Sequence, residues 1–335
     1  MKKTNVLLTG ASGNVGREIV KILSKDNDVN LTLFDQDSRN VHRVLKSFRG
    51  KVIYGDLRKI EELEVATHDC DVVLHLGAVI PPLANQSIGL AKEINYVGTK
   101  NLIRLLEKNS PHCFFIYSSS VAIYGDRLAS PWIRVGDELH ACEDDLYGQS
   151  KILAEEAIRN SSLTWSIFRL SAIFGAGNHT LSGLLFRVPL DTPIEFTTPE
   201  DTGRAFVHAI HKREELRFKI FNLGGGPSCR FIYQDFLKTS FEIFGLGNLN
   251  FPPKAFAEKN FHCGYYADGD NLEKILKFRH HSTEHLYGMM RKKVGSLQYI
   301  TTKILQKIIK KRLLKLSEPY CAYHSGDLQQ MKNFF

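Results

Sequence analysis

Six unbroken apolar runs alternate with amphipathic stretches over the first half of the chain. The runs are residues 5–10, 30–35, 51–56, 71–78, 113–120 and 164–175. Apolar runs of this kind are typical of strands that are buried on both faces of a parallel sheet. The stretches between them place apolar residues three and four apart, which predicts helices. The alternation predicts an α/β fold built on a doubly wound, Rossmann-type parallel sheet.

Beyond Phe174 the regular alternation is lost. Residues 175–199 are rich in turn formers, 200–212 predict a further helix, and 218–226 predict a core strand that ends in glycines. Residues 226–290 mix short helical patterns with loops rich in Phe, Tyr and His. We therefore expect three parts: a dinucleotide-binding domain (1–173 with 202–224), a smaller irregular substrate lobe (174–201 with 225–290) and a basic amphipathic C-terminal segment (291–335).

A glycine-rich turn, TGASGNVG, follows the first apolar run and precedes a predicted helix. This is the context in which such a turn binds a dinucleotide. Gly10 would form the turn, Gly13 would let the backbone approach a pyrophosphate, and Gly16 would let the helix pack close to the sheet. The helix N-terminus would supply amides to the phosphates. The predicted contacts from this loop are Gly10, Ser12, Gly13, Asn14, Val15 and Gly16.

Asp35 ends the second predicted strand, roughly 20 residues beyond the turn. A carboxylate at this place accepts hydrogen bonds from an adenosine ribose and repels a 2′-phosphate. The sequence therefore predicts NAD in preference to NADP. Arg39 is the nearby residue that would favour NADP.

Tyr147 and Lys151 stand four residues apart on a predicted helix and so share one face. A tyrosine hydroxyl titrates near pH 10, which is too high for a base at neutral pH. We expect the Lys151 ammonium, together with an oxidised nicotinamide ring, to lower that pKa and make Tyr147 a general acid/base. Ser120 ends a predicted core strand, where its hydroxyl would hold the same substrate oxygen.

Seven stretches, in this order, resemble the extended short-chain dehydrogenases/reductases, which include the NAD-dependent nucleotide-sugar epimerases and dehydratases. The stretches are TGASGNVG (9–16), GDL (55–57), HLGA (75–78), INYVGTKNL (94–102), YSSSVAIYG (117–125), YGQSK (147–151) and FRLSAIFGAG (168–177). The resemblance covers about residues 4–225 and implies the fold, an NAD cofactor and a catalytic triad of Ser120, Tyr147 and Lys151.

The resemblance also implies cofactor contacts outside the glycine-rich turn. They come from Asp56 and Leu57 near the adenine, Leu76, Gly77 and Ala78 along the cofactor, Asn95 bracing the cofactor-side loops, Ser118 near the nicotinamide, and the catalytic Tyr147 and Lys151.

Two departures from the family pattern limit the substrates and reactions that we expect for this chain. Nucleotide-sugar members carry an arginine that clamps the diphosphate, but here no basic residue precedes Asp201 in the corresponding segment, and Glu200 would repel phosphate. Val121 and Ala122 stand where dehydratases have an Asp-Glu pair, which disfavours dehydration. The loop 126–145 is expected to form one wall of the substrate pocket. Candidate anion contacts are Arg187 and Arg230.

Composition places the chain among globular proteins: of its 335 residues, 43% are hydrophobic and 24% charged. No apolar run approaches the roughly 20 residues that span a bilayer. The six cysteines include no C-x-x-C pair, so we expect reduced thiols, no metal site and a cytoplasmic protein.

The net charge of +8 is concentrated in residues 291–315, which hold nine Lys/Arg and no acid. Within this segment, residues 296–316 predict a helix whose two adjacent apolar lines form a broad stripe opposite a lysine-rich face. The helix could dock on the chain's own lobe or a partner subunit, or lie on an anionic membrane as a peripheral contact. Nucleic-acid binding is not expected, and we expect a homodimer.

Together these features predict an NAD-dependent oxidoreductase that acts on a secondary alcohol or ketone. Epimerisation of a sugar-like small molecule is the first hypothesis. A net alcohol dehydrogenase or ketone reductase would use the same residues. A non-catalytic NAD-binding sensor is the alternative from another class, although such proteins commonly lose the tyrosine or the lysine.

Overall fold

The structure is a computed structural model that describes residues 2–86, 89–175 and 182–335. Its strands are β1 (Thr4–Thr9), β2 (Val29–Asp35), β3 (Lys51–Tyr54), β4 (Val72–His75), β5 (Phe114–Ser120), β6 (Trp132–Ile133), β7 (Thr164–Leu170), β8 (Ala172–Ile173), β9 (Pro193–Thr197), β10 (Lys219–Leu223), β11 (Arg230–Ile232) and β12 (Tyr265–Tyr266).

The α-helices alternate with the strands in the first part of the chain and follow one another at its end. They are α1 (Asn14–Leu23), α2 (Arg39–Leu45), α3 (Ile60–Glu64), α4 (Leu83–Gln86), α5 (Gly98–Asn109), α6 (Leu146–Arg159), α7 (Leu184–Arg187), α8 (Pro199–Ala209), α9 (Arg213–Leu216), α10 (Tyr233–Ile243), α11 (Asp270–Leu276), α12 (Thr283–Lys293), α13 (Ser296–Leu314), α14 (Glu318–Ser325) and α15 (Leu328–Phe334). A π-helix covers Lys92–Val97.

Seven parallel strands form the central sheet in the order β10-β7-β5-β4-β1-β2-β3. The order reverses between β1 and β4, and the crevice outside the carboxyl ends of such strands is where α/β sheets bind ligands. The predicted doubly wound sheet is therefore confirmed, with all six apolar runs and the later predicted strand in place.

The last apolar run, 164–175, serves two sheets. Strand β7 ends at Leu170, and after Ser171 the chain leaves the central sheet, because β8 pairs with β9 in a three-strand sheet completed by β11. Strand β9 lies inside the stretch taken as turn-rich, so that prediction was wrong there. Its five residues are all buried, and Glu195 in their middle hides the strand pattern.

Apolar clusters fill both faces of the central sheet, and a third cluster lies in the lobe. In the lobe cluster, the rings of Phe174, Phe231 and Phe236 contact one another. The boundaries expected for the three parts stay a prediction, and residues 176–181, within the predicted lobe, lie outside the described residues, as does the end of the 168–177 stretch.

The predicted C-terminal helix is present as α13. Leu313 is buried in the lobe cluster, and Ile309 and Leu314 pack against it. In the described part of the chain, none of the helices combines the length and the apolar content that crossing a bilayer would require.

Candidate functional site

The glycine-rich turn joins β1 to α1 at the carboxyl edge of the sheet. Gly10 has φ +72°, and a Cβ there would lie 2.8 Å from the backbone nitrogen of Gly77. A Cβ on Gly16 would lie 2.2 Å from the carbonyl oxygen of Gly10. Backbone therefore excludes any side chain at both positions.

Gly13 is different, because it faces solvent. A Cβ there would contact only the Gly10 carbonyl oxygen, at 3.3 Å. Gly13 is the N-cap of α1 and provides no side chain to cap the helix amides. Asn14 beside it is exposed, whereas the Val15 side chain packs in the core. The uncapped helix start is the kind of place where phosphate oxygens bind.

Asp35 lies at the end of β2, beside this turn. One carboxylate oxygen accepts a hydrogen bond from the Ser12 amide at 2.7 Å, and the other accepts from the Gln36 amide at 2.8 Å. The carboxylate is thus fixed against the glycine-rich turn, with its second lone pairs available to a further donor.

The turn after β4, Leu76–Ala78, is half-buried. It is held by a series of hydrogen-bonded side chains that the sequence analysis missed. The Thr9 hydroxyl accepts a hydrogen bond from the Gly77 amide at 3.0 Å and contacts His75 Nδ1 at 2.7 Å. The other ring nitrogen of His75 contacts the Thr99 hydroxyl at 2.9 Å. Burial lowers the pKa of His75 to about 3, so the imidazole is neutral. The only sequence signal was its place in the HLGA stretch.

Asp56 and Leu57 follow β3. The Asp56 carboxylate is bound by the Arg58 guanidinium, which also holds its pKa below the usual range. Leu57 is buried and a Cβ on Gly77 would lie 3.2 Å from its side chain. The structure therefore places Leu57 under the β4 turn and gives Asp56 a partner of its own.

Asn95 sits in the π-helix and links two parts of the site. Its side chain accepts from the Val79 amide at 2.8 Å and donates to the Val79 carbonyl at 3.0 Å and to the Ser150 hydroxyl at 3.0 Å. Ser150 in turn donates to the Tyr147 carbonyl at 2.7 Å. Asn95 therefore ties the loop after β4 to the helix that bears Tyr147.

Ser120, Tyr147 and Lys151 come together where β5 ends beside α6. The Ser120 side chain accepts from the Ala122 amide at 3.2 Å and lies close enough to the Tyr147 hydroxyl to lower the pKa of that phenol. Lys151 Nζ donates to the Ser118 carbonyl at 2.7 Å and lies 5.7 Å from the centre of the Tyr147 ring. The four-residue spacing on α6 thus places the ammonium beside the phenol, as a shared helix face requires.

Burial governs the protonation of the pair. Tyr147 is half-buried at the residue level, but the protein around it raises the phenol pKa to about 12, with the Ser120 hydrogen bond acting in the opposite direction. Burial also lowers the pKa of Lys151 to about 7, which the Glu155 carboxylate partly offsets. The expected fall in the Tyr147 pKa is therefore not met by the chain's own charges. The reason is that desolvation penalises both charged forms.

A buried ion pair beneath Lys151 was also missed. The Arg169 guanidinium binds the fully buried Glu155 carboxylate through two hydrogen bonds of 3.0 and 2.8 Å. Arg169 also donates to the Tyr124 hydroxyl at 2.6 Å and to the Val135 carbonyl at 2.9 Å. The pair joins α6 to β7 and to the wall loop 126–145, so it fixes the helix that carries both catalytic candidates.

Asp145 caps the N-terminus of α6. Its carboxylate accepts from the Gly148 amide at 3.1 Å and lies 3.3 Å from Nδ1 of His262, a residue of the lobe. The lobe and helix α6 are thus in direct contact two residues before Tyr147.

Both candidate anion contacts are already paired with carboxylates. Arg230 binds the buried Glu195 at 2.7 Å and lies beside the rings of Trp132 and Tyr265, 5.0 and 5.4 Å from their centres. Arg187 pairs with Glu318 of the C-terminal segment. Both arginines are thus paired within the chain, and their role as anion contacts stays a prediction.

In the described residues, no group of three or more His, Cys, Asp or Glu side chains is arranged to hold a metal ion. The six cysteines are free thiols.

A model of the 3-beta hydroxysteroid dehydrogenase/isomerase family matches residues 7–197, more than half of the chain. The match runs from β1 to β9 and includes Ser120, Tyr147 and Lys151. It therefore covers the central sheet up to β7 and all of the catalytic candidates.

The chain is similar to enzymes of two kinds. It is 29% identical over 164 residues to a D-erythronate dehydrogenase of Haemophilus influenzae, covering 47% of this chain and 50% of the relative. It is 28% identical over 212 residues to a UDP-glucose 4-epimerase of Vibrio cholerae, covering 61% of this chain and 62% of the relative. The chain thus spans about half the length of the first relative and somewhat more of the second.

Solved structures share the fold. A UDP-glucuronic acid 4-epimerase from Bacillus cereus, in complex with UDP-glucuronic acid and NAD, superimposes with a TM-score of 0.68 at 19% identity, covering 86% of this chain and 99% of that one. Because the family match covers more than half of the chain and the sheet has this same architecture, the chain belongs to the 3-beta hydroxysteroid dehydrogenase/isomerase family, within the extended short-chain dehydrogenases/reductases that its motifs indicate.

Proposed function

We propose that this chain is an NAD-dependent oxidoreductase acting on a secondary alcohol or ketone, and that epimerisation of a sugar-like substrate is its main reaction. The observation that carries the proposal is the meeting of Ser120, Tyr147 and Lys151 at the carboxyl edge of the sheet. This edge is where sheets of this topology bind dinucleotides.

The residues present fit a dinucleotide. Gly13 leaves the uncapped start of α1 open, and the fixed Asp35 carboxylate can accept from a ribose hydroxyl. A negative charge at Asp35 favours NAD over NADP, because a 2′-phosphate would be repelled. When bound, NAD would supply reversible hydride transfer at the substrate carbon.

The chain's own groups would position the substrate oxygen and move its proton. Ser120 would donate a hydrogen bond to that oxygen, and Tyr147 would accept its proton when the alcohol is oxidised. Lys151 would stabilise the Tyr147 phenolate that accepts this proton, because a nearby negative charge raises the pKa of the buried amine and holds its proton. The Ser118 carbonyl and Glu155 keep Lys151 in place for this role.

The pairing of two arginines with carboxylates affects which class of substrate this chain would bind. Since Arg187 and Arg230 are both neutralised, a sugar-like molecule without a diphosphate fits this chain better than a nucleotide sugar. The similarity to a D-erythronate dehydrogenase favours a second candidate function, a net dehydrogenase acting on a sugar acid. A non-catalytic sensor is less well supported, because all three catalytic candidates are kept.

One experiment tests the proposal and separates the two reactions. Purified protein is titrated calorimetrically with NAD and NADP and then incubated with a panel of sugars and sugar acids, while NADH absorbance and product stereochemistry are followed. An epimerase inverts a centre with no net NADH, whereas a dehydrogenase accumulates NADH. We expect Tyr147→Phe to bind NAD normally and to lose about 10²–10⁴-fold in turnover. Absence of affinity for either redox state, or full activity of Tyr147→Phe, would disprove the proposal.

We also propose a homodimer in the cytoplasm, on the grounds of the family and of six unpaired cysteines. Sedimentation equilibrium of the full chain tests the oligomeric state.

A further inference from the structure

Helix α13 packs on the lobe through one face only. Its Leu313 is buried, and Ile309 packs beside it against the lobe cluster. Nearer its start, the Tyr299 carbonyl lies so close to the left-handed Gly245 that a Cβ there would come within 2.7 Å. Lys310 also turns toward the lobe, where its ammonium donates to the Asn248 carbonyl at 2.7 Å. This face is occupied by the chain itself.

The opposite face of α13 is apolar and points outward. Leu297, Ile300, Ile304 and Ile308, which we call the α13 stripe, are spaced three, four and four residues apart and so form one line along the helix. Their side chains are 80%, 54%, 75% and 54% exposed. The two apolar lines seen in the sequence therefore have different neighbours: one packs on the lobe and the other faces outward.

Positive charge surrounds the stripe. Residues 291–315 carry nine Lys/Arg and no acidic residue. Lys307 and Lys311 are exposed and follow the stripe residues Ile304 and Ile308 by three positions, which places them beside the stripe.

We infer that the α13 stripe and its lysines dock the protein on an anionic membrane surface, with the helix lying in the plane of the interface. A basic amphipathic helix buries its apolar side about 5–10 Å into the headgroup boundary and gains from anionic lipid. The 19 residues of α13 give a length of about 28 Å, which allows all four apolar side chains to enter together.

A second copy of this chain is the competing occupant, and charge argues against it. Packing two stripes across a two-fold axis would bring two lysine-rich surfaces together with no acidic partner in this segment. Like charges at an interface weaken association, whereas an anionic bilayer supplies the missing negative charge. Because α13 is fixed to the lobe cluster, docking would hold the lobe at the lipid surface.

The inference is tested by co-sedimenting the full chain with phosphatidylcholine vesicles that contain either no phosphatidylglycerol or about a third of it. Two double variants remove each contribution, Ile304→Ser/Ile308→Ser for the stripe and Lys307→Gln/Lys311→Gln for the charge. Val65→Ser is the matched control, because Val65 is likewise exposed, at 57%, but lies after α3. Thermal melts without vesicles show that each variant folds.

We expect the wild type and Val65→Ser to bind the anionic vesicles and to release at high salt. Removing two lysines should weaken this binding roughly 25-fold, at about fivefold for each charge. The serine double variant should lose binding to the anionic vesicles.

Two results would overturn the inference. One is that the wild type fails to bind anionic vesicles, or that folded stripe variants bind as the wild type does. The other is that sedimentation velocity shows a wild-type dimer that Ile304→Ser/Ile308→Ser dissociates, with no vesicle binding by either protein. That outcome would assign the stripe to a second copy.

Discussion

The glycine-rich turn allows a test that separates folding from cofactor binding, because its glycines are required for different reasons. At Gly10 the backbone has φ +72°, and a Cβ would meet the Gly77 nitrogen at 2.8 Å. At Gly13 the backbone is extended, with φ −65°, and a Cβ would meet only one carbonyl oxygen, at 3.3 Å. Alanine is therefore strained at the first position and tolerated at the second.

The magnitudes differ accordingly. Gly10→Ala should cost about 1–2 kcal/mol for the left-handed backbone and about 1–3 kcal/mol for displacing the β4 turn. Gly13→Ala loses about 0.5–1 kcal/mol at the N-cap but gains a similar amount from a less flexible unfolded chain. In a domain of this size, each kcal/mol corresponds to about 2 °C of Tm. We expect Gly10→Ala to melt several degrees lower and Gly13→Ala to melt as the wild type does.

For cofactor affinity, Gly13 is the position at which alanine should have an effect. A methyl group at Gly13 would stand where the pyrophosphate approaches the α1 amides, and losing one charge-assisted hydrogen bond costs about 1.5–3 kcal/mol. Calorimetric titration should therefore show NAD bound at least about tenfold more weakly by a fully folded Gly13→Ala protein. The reasoning is refuted if this variant keeps the wild-type Kd, or if its loss of Tm matches that of Gly10→Ala.

Three further predictions concern buried ionisable side chains. Asp35→Asn keeps an acceptor for the Ser12 amide but removes the charge, so NAD affinity should fall about tenfold and the preference over NADP should narrow, as measured by calorimetry. Glu155→Gln leaves Arg169 buried without a counter-charge and should lower the free energy of unfolding, measured in urea, by about 3–5 kcal/mol. Replacing both residues by Met should lower it by less, and equal losses would contradict this reasoning. In the folded protein His75 has a pKa of about 3, against 6.5 in the unfolded chain, so its ring stays neutral when folded. As the pH falls from 6.5 to 3, only the unfolded chain therefore gains a proton at this residue. The free energy of unfolding should thus drop by up to about 5 kcal/mol between pH 6.5 and 3, and a His75→Gln protein should lack this part of the slope in urea titrations at stepped pH.

The sheet could be predicted from the sequence because its strands are buried on both faces, which leaves an unbroken apolar run for each one. Strand β9 could not, since Glu195 interrupts its pattern. That carboxylate is tolerated in the interior only because Arg230 and the amides of Gly226 and Tyr266 bind it. Because these partners lie 31 to 71 residues away along the chain, no local sequence pattern indicates them.

The catalytic candidates were found from local spacing, but the groups that support them were not. Tyr147 and Lys151 share a helix face by their four-residue interval alone. His75 matters through Thr9 and Thr99, which lie 66 and 24 residues away. Likewise the sequence shows two apolar lines on α13 but not which one packs on the lobe, because that depends on the surface that the lobe presents.

The protonation state of Tyr147 cannot be derived from neighbouring charges alone, because burial also sets its pKa. The Lys151 ammonium and an oxidised nicotinamide ring were expected together to lower the phenol pKa. In the protein alone burial holds the two pKa values near 12 and 7, so moving a proton from Tyr147 to Lys151 costs about 7 kcal/mol before the charges interact. If the charges are about as far apart as Lys151 Nζ is from the Tyr147 ring centre, 5.7 Å, their attraction returns about 3 kcal/mol at an effective dielectric constant near 20. The isolated site therefore keeps its proton on the phenol. A phenolate becomes accessible only with further positive charge beside Tyr147, and the oxidised nicotinamide ring expected there would supply that charge.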